Sequence, residues 1–261
     1  MRICAVIPAA GQGERLGLEV PKIFAPLDET STAWSVLRDA VMPQVDHAAV
    51  VLAPPAVPLF ENVLAADVAR FRISVAVQEK ATGMGDAIFA AWPIWRDFES
   101  ILVVWGDQVN LSTDTLARTL QAHRQSEAGC TIPLIETADP YVQYVFNGAG
   151  RLVHIRQARE HDTVDATGYS DVGIFALHSR GLKDLWQIYR ATCAAGSGTQ
   201  EINFLPFLVF LADRGWPMHI VRAGCADEAR GINTASDLAF ARERFARRNS
   251  ARASAYGMRE E

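Results

Sequence analysis

The residue types that could carry chemistry begin in the first 22 positions, in a loop of small residues followed by two basic side chains. The loop follows a short apolar run, residues 3–7, which is too short for a helix and is typical of a buried strand. Small residues let backbone N–H groups approach an anion closely, and Arg15 and Lys22 add positive charge. The pattern therefore predicts a phosphate-binding loop. The small residues predicted to surround the phosphates are Ala9, Ala10, Gly11 and Gly13.

Two common glycine loops do not fit this stretch. A Walker loop ends in Gly-Lys-Ser or Gly-Lys-Thr, whereas Gly13 is followed by Glu14. A dinucleotide-binding loop has the spacing G-x-G-x-x-G, but the third glycine here is Gly17, one residue too late, and Pro21 interrupts the helix that should follow. A glycine turn that merely joins a strand to a helix remains the structural alternative.

A carboxylate is predicted at the end of a second apolar run. Asp107 follows residues 101–105 through Gly106, which places it at the carboxyl edge of a central strand. A bare carboxylate there would repel a triphosphate, so a bound Mg²⁺ that reverses the local charge is the economical interpretation. The alternative is an aspartate that caps the next turn.

These features together resemble a known enzyme family. The motif A-A-G-x-G-x-R at residues 9–15, followed by Pro21-Lys22, is similar to the signature of sugar-1-phosphate nucleotidyltransferases. The nearest resemblance is to the uridylyltransferase domain of N-acetylglucosamine-1-phosphate uridylyltransferase. The resemblance implies that Arg15 contacts the β and γ phosphates and that Lys22 contacts the α-phosphate and the acceptor phosphate. An acceptor phosphate oxygen would attack the α-phosphorus in line and release pyrophosphate, so catalysis would depend on positioning and charge neutralisation.

The same resemblance assigns three further residues. Residues 78–87 are similar to the family stretch in which a Gln amide, here Gln78, and a Gly backbone, here Gly83, bind the edge of a pyrimidine. An amide can pair with uracil or thymine, or with cytosine after a half-turn, so UTP, CTP and dTTP all remain open. Asn233 stands in a segment similar to the one that completes the Mg²⁺ site beside Asp107. Without the resemblance, Thr82 and Asn233 read as ordinary caps of helices.

The second half of the chain departs from the relative at the expected acceptor contacts. Tyr141, Gln157 and Asp171 are the candidate acceptor-binding residues, but their neighbourhoods differ from the family pattern, which puts N-acetylglucosamine 1-phosphate in doubt. Basic residues also follow one another along residues 154–161, either as a solvated edge or as contacts to a more anionic acceptor. A sugar 1-phosphate is the favoured phosphorylated acceptor. The alternatives are a cytidylyltransferase acting on a phosphonate or polyol phosphate, and a catalytically silent nucleotide-binding regulatory subunit.

Composition excludes several other classes of protein. The chain has 261 residues, 49% of them hydrophobic, and a formal net charge of −5, which disfavours binding to nucleic acid. The four cysteines form no C-x-x-C pair, so neither a zinc site nor a disulfide framework is predicted. Residues 1–20 show no charged leader followed by a long apolar segment, so we expect a cytoplasmic protein without a membrane span. A homo-oligomer is left open.

The order of apolar runs predicts an α/β fold of three layers with a mostly parallel sheet. The resemblance implies that this fold is Rossmann-like and similar to that of GT-A nucleotidyltransferases. Loops at the carboxyl ends of its strands should converge on one cleft. We expect one nucleotidyltransferase domain over residues 1–250 and no hexapeptide repeats, so no acetyltransferase activity. Its predicted parts are a nucleotide-binding half (1–128), a strand-rich acceptor-binding half (129–232), a closing helix (234–247) and a tail (251–261). The predicted strands are 3–7, 47–53, 73–77, 100–105, 131–135, 141–146, 152–156, 172–177 and 218–221, and the predicted helices are 32–42, 59–68, 84–92, 113–125, 181–194, 203–213 and 236–247.

Overall fold

The computed structural model describes residues 1–11 and 20–257, apart from the side chains of positions 63, 64, 69 and 251–257. Arg15 and Gly13, two of the predicted phosphate-binding residues, therefore lie outside the described part of the chain. Strands and helices alternate along the first half and strands dominate the second. The strands of the described ranges are β1 (Ile3–Pro8), β2 (His47–Leu52), β3 (Ile73–Val77), β4 (Ser100–Val104), β5 (Cys130–Ala138), β6 (Val142–Phe146), β7 (Leu152–Gln157), β8 (Thr167–Asp171), β9 (Ile174–His178) and β10 (Met218–Arg222). The helices are α1 (Ala33–Val41), α2 (Val57–Arg70), α3 (Met84–Ala90), α4 (Trp92–Trp95), α5 (Thr113–Gln125), α6 (Leu182–Thr192), α7 (Leu205–Asp213) and α8 (Ala235–Gly257).

One mixed sheet contains all of these strands, in the order β3-β2-β1-β4-β9-β5-β8-β6-β7, with β10 paired to β5. The first four strands in that order are parallel to one another. Most pairs in the second half are antiparallel. The predicted α/β class is confirmed, with the parallel strands concentrated in the first half.

The three layers follow from the alternation of side chains along β1. Cys4 and Val6 point to one face of the sheet, where α3, α6 and α7 cover them, whereas Ile3, Ala5 and Ile7 point to the other face, under α1, α2 and α5. All five side chains are fully buried. A continuous apolar run is what a parallel strand covered on both faces requires.

The predicted strand over residues 172–177 is wrong at its start. β8 ends at Asp171 and β9 begins at Ile174, and between them Gly173, with φ of +75°, breaks the extended backbone. The polar sequence of β8, Thr-Gly-Tyr-Ser-Asp, lacks the apolar alternation that marks a strand. Pairing with β5 and β6 holds it in the sheet instead.

The C-terminal helix is longer than predicted. We expected a closing helix over 234–247 and a frayed tail from 251, but α8 continues to Gly257. Leu238 and Ala241 of α8 pack in a small cluster with Leu27 and Ile232, so the helix covers the segment that follows the first loop. Within the described ranges, no helix is both long enough and apolar enough to cross a membrane.

Candidate active site

Two adjoining hollows open at the carboxyl ends of the parallel strands. The first hollow, with about 790 Å³ of open space, lies between the loops that follow β1, β3 and β4, and the second, with about 730 Å³, lies under the antiparallel half. Four residues line both hollows, so the hollows form one continuous cleft. The shared residues are Met84, Trp105, Asp107 and Arg159.

Lys22, Asp107 and Asn233 come together where the two hollows meet. The Lys22 Nζ atom donates a hydrogen bond to Asn233 Oδ1 at 2.9 Å and lies 3.7 Å from Asp107 Oδ2. The Lys22 and Asp107 side chains each keep 23% of their surface exposed, so the group is partly desolvated but reachable. Three residues separated by up to 211 positions in sequence therefore form one charged cluster.

Lys22 is positioned by the short 3-10 helix Lys22–Phe24, which begins directly after Pro21. Ile23 and Phe24 are buried in the core beneath it, and the Phe24 amide donates to the Pro21 carbonyl at 2.8 Å. Proline fixes the backbone at the start of the turn, and the two apolar side chains anchor the rest. The lysine is therefore held at the mouth of the first hollow by its neighbours in sequence.

Asp107 is positioned by the close approach of two strand ends. A Cβ atom at Gly106 would lie 2.8 Å from the Pro8 carbonyl oxygen, so only glycine fits between β1 and the turn after β4. The Asp107 carbonyl accepts the Ile232 amide at 3.0 Å, which brings the segment carrying Asn233 alongside. Burial raises the pKa of the Asp107 carboxyl, while the Lys22 ammonium opposes the rise.

Gln78 and Gly83 face each other across the loop that follows β3. The Gln78 Nε2 atom donates to the Gly83 carbonyl at 2.9 Å, and both residues line the first hollow. A half-turn of the Gln78 amide would set two oxygen atoms against each other, so the bond fixes its orientation with Oε1 turned away from Gly83. The predicted pairing of this amide with uracil, thymine or cytosine stays a prediction.

The second hollow contains the three predicted acceptor residues. Tyr141 is half-exposed at its rim, while Gln157 and Asp171 are buried in its wall. Burial raises the pKa of Asp171 to about 6, although the Gly173 amide donates to its Oδ1 at 2.8 Å. Ser170, next to Asp171, lines the same wall.

The sequence analysis missed one functional candidate in the cleft and did not single out another. Gln108, directly after Asp107, is 4% exposed and lines the second hollow, and its Oε1 atom, like that of Gln157, is buried without a hydrogen-bond partner among the described residues. A Cβ at Gly173 would lie 2.7 Å from the Gln108 side chain, so this glycine makes room for the amide. Arg159 is the candidate that was not singled out. Its position in the run of basic residues was noted, but nothing in the spacing distinguished it from its neighbours.

The other basic residues of that run do not reach the cleft. Arg156 bonds to Asp165 and Gln143, each at 3.2 Å, and His154 is exposed. The solvated-edge interpretation therefore describes these two residues, and Arg159 is the basic residue of the run that lines the hollows.

The described part of the first loop divides into two groups. Ala10 and Gly11 line the first hollow. Ala9 does not, and its amide donates to the Val51 carbonyl at 2.8 Å, so its predicted N–H contact to a phosphate is corrected. A Cβ at Gly11 would meet nothing within 4 Å, which leaves its backbone open to the hollow.

The oxygen atoms of Asp107 and Asn233 suit a divalent cation chemically. Both atoms face the Lys22 ammonium, which shows that this corner accepts positive charge. Within residues 1–11 and 20–257 there is no group of three or more His, Cys, Asp or Glu side chains that could hold a metal. Mg²⁺ is usually held by one or two protein oxygens together with waters and phosphate oxygens, so these two residues fit that ion.

Comparison with known sequences finds a matching family and several relatives. The sequence model of the MobA-like NTP transferase domain matches residues 5–238. Bifunctional protein GlmU of Carboxydothermus hydrogenoformans is 24% identical over 238 residues, 90% of this chain and 51% of that protein, and GlmU of Bradyrhizobium sp. (strain ORS 278) is 29% identical over 244 residues, with coverage of 90% and 51%. The chain thus spans about half the length of these relatives.

Solved structures show the same fold. The inositol-1-phosphate CTP transferase from T. maritima superposes with a TM-score of 0.71 at 19% identity, covering 93% of this chain and 94% of its own. A nucleotidyl transferase from Methanothermobacter thermautotroptrophicus superposes with a TM-score of 0.63 at 22% identity, covering 94% and 98%. These two matches show the fold, and the family model together with the GlmU relatives confirms the resemblance inferred from the first loop.

Proposed function

Since the chain belongs to the MobA-like NTP transferase domain family, we propose that it transfers a pyrimidine nucleoside monophosphate from a nucleoside triphosphate to a phosphorylated, hydroxyl-rich small molecule. The favoured acceptor is a sugar 1-phosphate, and pyrophosphate is the second product. The observation that carries this proposal is the cluster of Lys22, Asp107 and Asn233 at the junction of the two hollows. The phosphates of a nucleotide in the first hollow and of an acceptor in the second hollow would meet at this cluster.

The reaction forms one bond and breaks one bond at the α-phosphorus. An acceptor phosphate oxygen attacks the α-phosphorus, and the bond from that phosphorus to the oxygen bridging the β-phosphate breaks, so pyrophosphate leaves with the electron pair. Lys22 would neutralise charge on the α-phosphate and the acceptor phosphate, and Ala10 and Gly11 would line the triphosphate. Arg15 and Gly13 stay in the proposal as phosphate contacts from the sequence motif. Mg²⁺, held by Asp107 and Asn233, would supply further positive charge at the phosphates.

The first hollow supports a base-reading role for Gln78. With its Nε2 atom engaged by the Gly83 carbonyl, Gln78 offers an acceptor oxygen to a ligand. That oxygen can accept from N3–H of uracil or thymine and from the exocyclic amine of cytosine. We therefore assign the donor as UTP, dTTP or CTP and leave the choice to experiment.

The second hollow supports a neutral, hydroxylated acceptor body. Gln157 and Gln108 each bury an unpaired carboxamide oxygen in its wall, and unpaired buried acceptors gain most from a hydroxyl donor. Asp171 would accept a hydrogen bond from another hydroxyl of the acceptor, and Tyr141 would cover the open side of the second hollow. Arg159 supplies positive charge toward the acceptor phosphate, because its side chain lines both hollows.

A polyol phosphate with CTP is the second candidate pair of substrates. The amide oxygens in this wall can accept hydrogen bonds from the ring hydroxyls of a cyclitol as readily as from those of a sugar. The fold neighbour from T. maritima is an inositol-1-phosphate CTP transferase, and the relatives named GlmU are matched over about half their length.

A matrix of nucleotides and acceptors tests the proposed function. UTP, CTP and dTTP are each combined with sugar 1-phosphates, polyol phosphates and a phosphonate, with and without Mg²⁺, and pyrophosphate release is followed. We expect release only when nucleotide, a phosphorylated polyhydroxyl acceptor and Mg²⁺ are all present. Stabilisation by nucleotide in a thermal-shift assay without turnover across the matrix would instead identify a silent nucleotide-binding subunit.

A further inference from the structure

A buried glutamate outside both hollows holds a loop from a distant part of the chain. Glu160 is 7% exposed, and its carboxylate accepts hydrogen bonds from the Gly198 amide at 2.8 Å, the Thr199 amide at 3.1 Å and the Thr199 hydroxyl at 2.7 Å. The Asn203 side chain donates a fourth bond at 2.9 Å. We call residues 196–203, which lie between α6 and α7, the clamped loop.

The clamped loop is shaped to fit the glutamate. A Cβ atom at Gly196 would collide with the Glu160 carboxylate, and one at Gly198 would collide with the Arg159 carbonyl. Burial by itself would raise the pKa of Glu160, but the hydrogen bonds from Thr199, Asn203 and Gly198 lower it to about 2. The ionised carboxylate is therefore the form that the loop is built around.

The other side of the clamped loop contacts the loop after β3. We call residues 78–83 the base loop, because Gln78 and Gly83 lie in it. The Ile202 amide donates to the Thr82 carbonyl at 2.9 Å, and the Ile202 carbonyl packs so closely on Gly83 that a Cβ there would lie 2.5 Å away. The position of the base loop therefore depends on where the clamped loop is held.

The same network reaches the second hollow through Arg159. The Arg159 guanidinium donates to the Asn203 side-chain oxygen, and its Nε atom lies 3.5 Å from Glu160 Oε1. Asn203 thus links the Glu160 carboxylate to the basic side chain that lines both hollows.

We propose that Glu160 is a positioning residue that couples the two hollows: by fixing the clamped loop it holds the base loop on one side and Arg159 on the other. It lines neither hollow, so it acts through these neighbours. The inference rests on the proposed function in so far as the base loop binds the nucleotide, but the mechanical link does not depend on turnover.

Replacing Glu160 with Gln tests the link. Gln has nearly the same shape, but its NH₂ group would face amide and hydroxyl donors, so the clamped loop should be released. In the substrate-free protein we expect hydrogen exchange to accelerate about tenfold in the clamped loop and also in residues 78–87, where the Thr82 and Ala87 amides are hydrogen-bonded. In the active enzyme, the KM for nucleotide should rise about tenfold while kcat stays within about threefold.

A second buried glutamate provides the matched control. Glu228 is 1% exposed and likewise accepts two amides and a threonine hydroxyl, from Ser112, Cys225 and Thr115, but it contacts neither loop. Glu228→Gln should accelerate exchange around residues 112–115 and 224–228 and leave residues 78–87 unchanged. If it accelerates residues 78–87 as much as Glu160→Gln does, general destabilisation explains the effect and the proposal is overturned.

Thr199→Val is a milder variant that keeps the shape of the loop if Glu160→Gln does not fold. It removes the hydroxyl that donates to Glu160 and accepts the Glu201 amide at 3.3 Å, and it should accelerate exchange in residues 78–87 about threefold. Unchanged exchange in residues 78–87, with or without faster exchange in the clamped loop, overturns the link. The predicted exchange pattern in a protein that shows no turnover would retain the positioning role and reject the proposed function.

Discussion

Lys22 is held by two oxygen atoms before any substrate arrives. Its ammonium bonds Asn233 at 2.9 Å and lies 3.7 Å from Asp107, so its long side chain is already ordered toward the junction of the hollows. Ordering the cation in advance reduces the reorganisation needed when charge develops on transferring phosphates. Lys22 should therefore contribute to the transition state more than to nucleotide binding.

Lys22→Ala should lower kcat for pyrophosphate release by about 100-fold or more and change nucleotide affinity by less than about threefold. Steady-state kinetics gives the rate, and calorimetric titration gives the affinity. Lys183→Ala is the control, because the Lys183 ammonium lies over the Trp92 ring and lines neither hollow. Equal losses of rate and affinity in Lys22→Ala would count against the assigned role.

Gln157 combines a structural cost with a proposed binding role. Its buried, unpaired oxygen is unfavourable in the protein without substrate, and replacing it with an apolar side chain of similar size removes that cost. Gln157→Leu should therefore unfold at a temperature at least as high as the wild type, while the KM for acceptor rises about tenfold and the KM for nucleotide is unchanged. Differential scanning calorimetry and initial rates measure both effects.

An exposed glutamine, Gln121 on α5, provides the control for Gln157→Leu. Gln121→Leu should change neither KM. A Gln157→Leu variant that loses stability and keeps its acceptor KM would show that the amide serves the fold alone.

The residues at strand ends could be located from sequence, but the residues on the antiparallel wall could not. Asp107 was predicted because it follows an apolar run at the edge where parallel strands end, whereas Lys22, Gln78 and Gly83 were predicted from motifs that resemble those of the family. Gln108 follows Asp107 directly, and a search for polar residues flanking the strand-end carboxylate would have found it. No comparable signal singles out Arg159, because its direction depends on contacts with Asn203 from another loop.

At the scale of elements, local pattern predicted the buried strands and missed the polar one. β1 and β4 are continuous apolar runs, buried on both faces, and are read directly from sequence. β8 is a polar strand that exposes Thr167 and Tyr169, and its pairing with β5 is set by tertiary structure. The length of α8 was also underestimated. The predicted helix was ended at residue 247 because the residues after it lack apolar periodicity, but α8 continues to Gly257.

The base loop makes its own prediction at this scale. Gly83 has φ of +119°, and a Cβ there would lie 2.5 Å from the Ile202 carbonyl oxygen, so Gly83→Ala must shift the loop. We expect the KM for nucleotide to rise about tenfold or more, since the displaced carbonyl would also release Gln78.

Gly148→Ala in the turn between β6 and β7 is the matched control, because a Cβ there meets nothing within 4 Å. It should leave the KM for nucleotide unchanged. A Gly83→Ala enzyme with the wild-type KM would show that the loop backbone does not bind the nucleotide.

Across the whole molecule, a buried histidine lies at the opposite end of β4 from the cleft. His123 of α5 is fully buried, with Nε2 3.1 Å from the Ser100 hydroxyl and Nδ1 3.0 Å from the Thr131 hydroxyl. Burial, together with repulsion from the neighbouring His178 and Arg124, lowers the pKa of His123 to about 4. The neutral ring is therefore the form that packs between β4, β5 and β9.

The depressed pKa makes stability depend on pH. Between an unfolded-state pKa of about 6.5 and the folded value, the unfolded chain binds a proton that the folded protein does not, so the free energy of unfolding falls as pH falls. The loss attributable to His123 should reach about 2 to 3 kcal/mol by pH 4. Urea denaturation at a series of pH values measures it.

His123→Gln should be less stable at pH 7 but should show a flatter pH dependence between pH 6.5 and pH 4. His154→Gln, at an exposed position on β7, serves as the control and should keep the wild-type slope. An unchanged slope in His123→Gln would rule out this histidine as the source of acid sensitivity.

The whole molecule is anionic, with a formal net charge of −5, and yet the proposed donor carries several negative charges. The cleft offsets this by gathering Lys22 and Arg159 at the hollows, and bound Mg²⁺ would add to them. Phosphorus NMR of a reaction containing protein, Mg²⁺, nucleoside triphosphate and an accepted phosphorylated acceptor follows every phosphate at once. Pyrophosphate and a new diphosphate diester should appear in equal amounts as the triphosphate disappears, and Asp107→Ala should suppress both. Appearance of inorganic phosphate or nucleoside diphosphate without the diester, or an Asp107→Ala protein as fast as wild type, would contradict nucleotidyl transfer at this cleft.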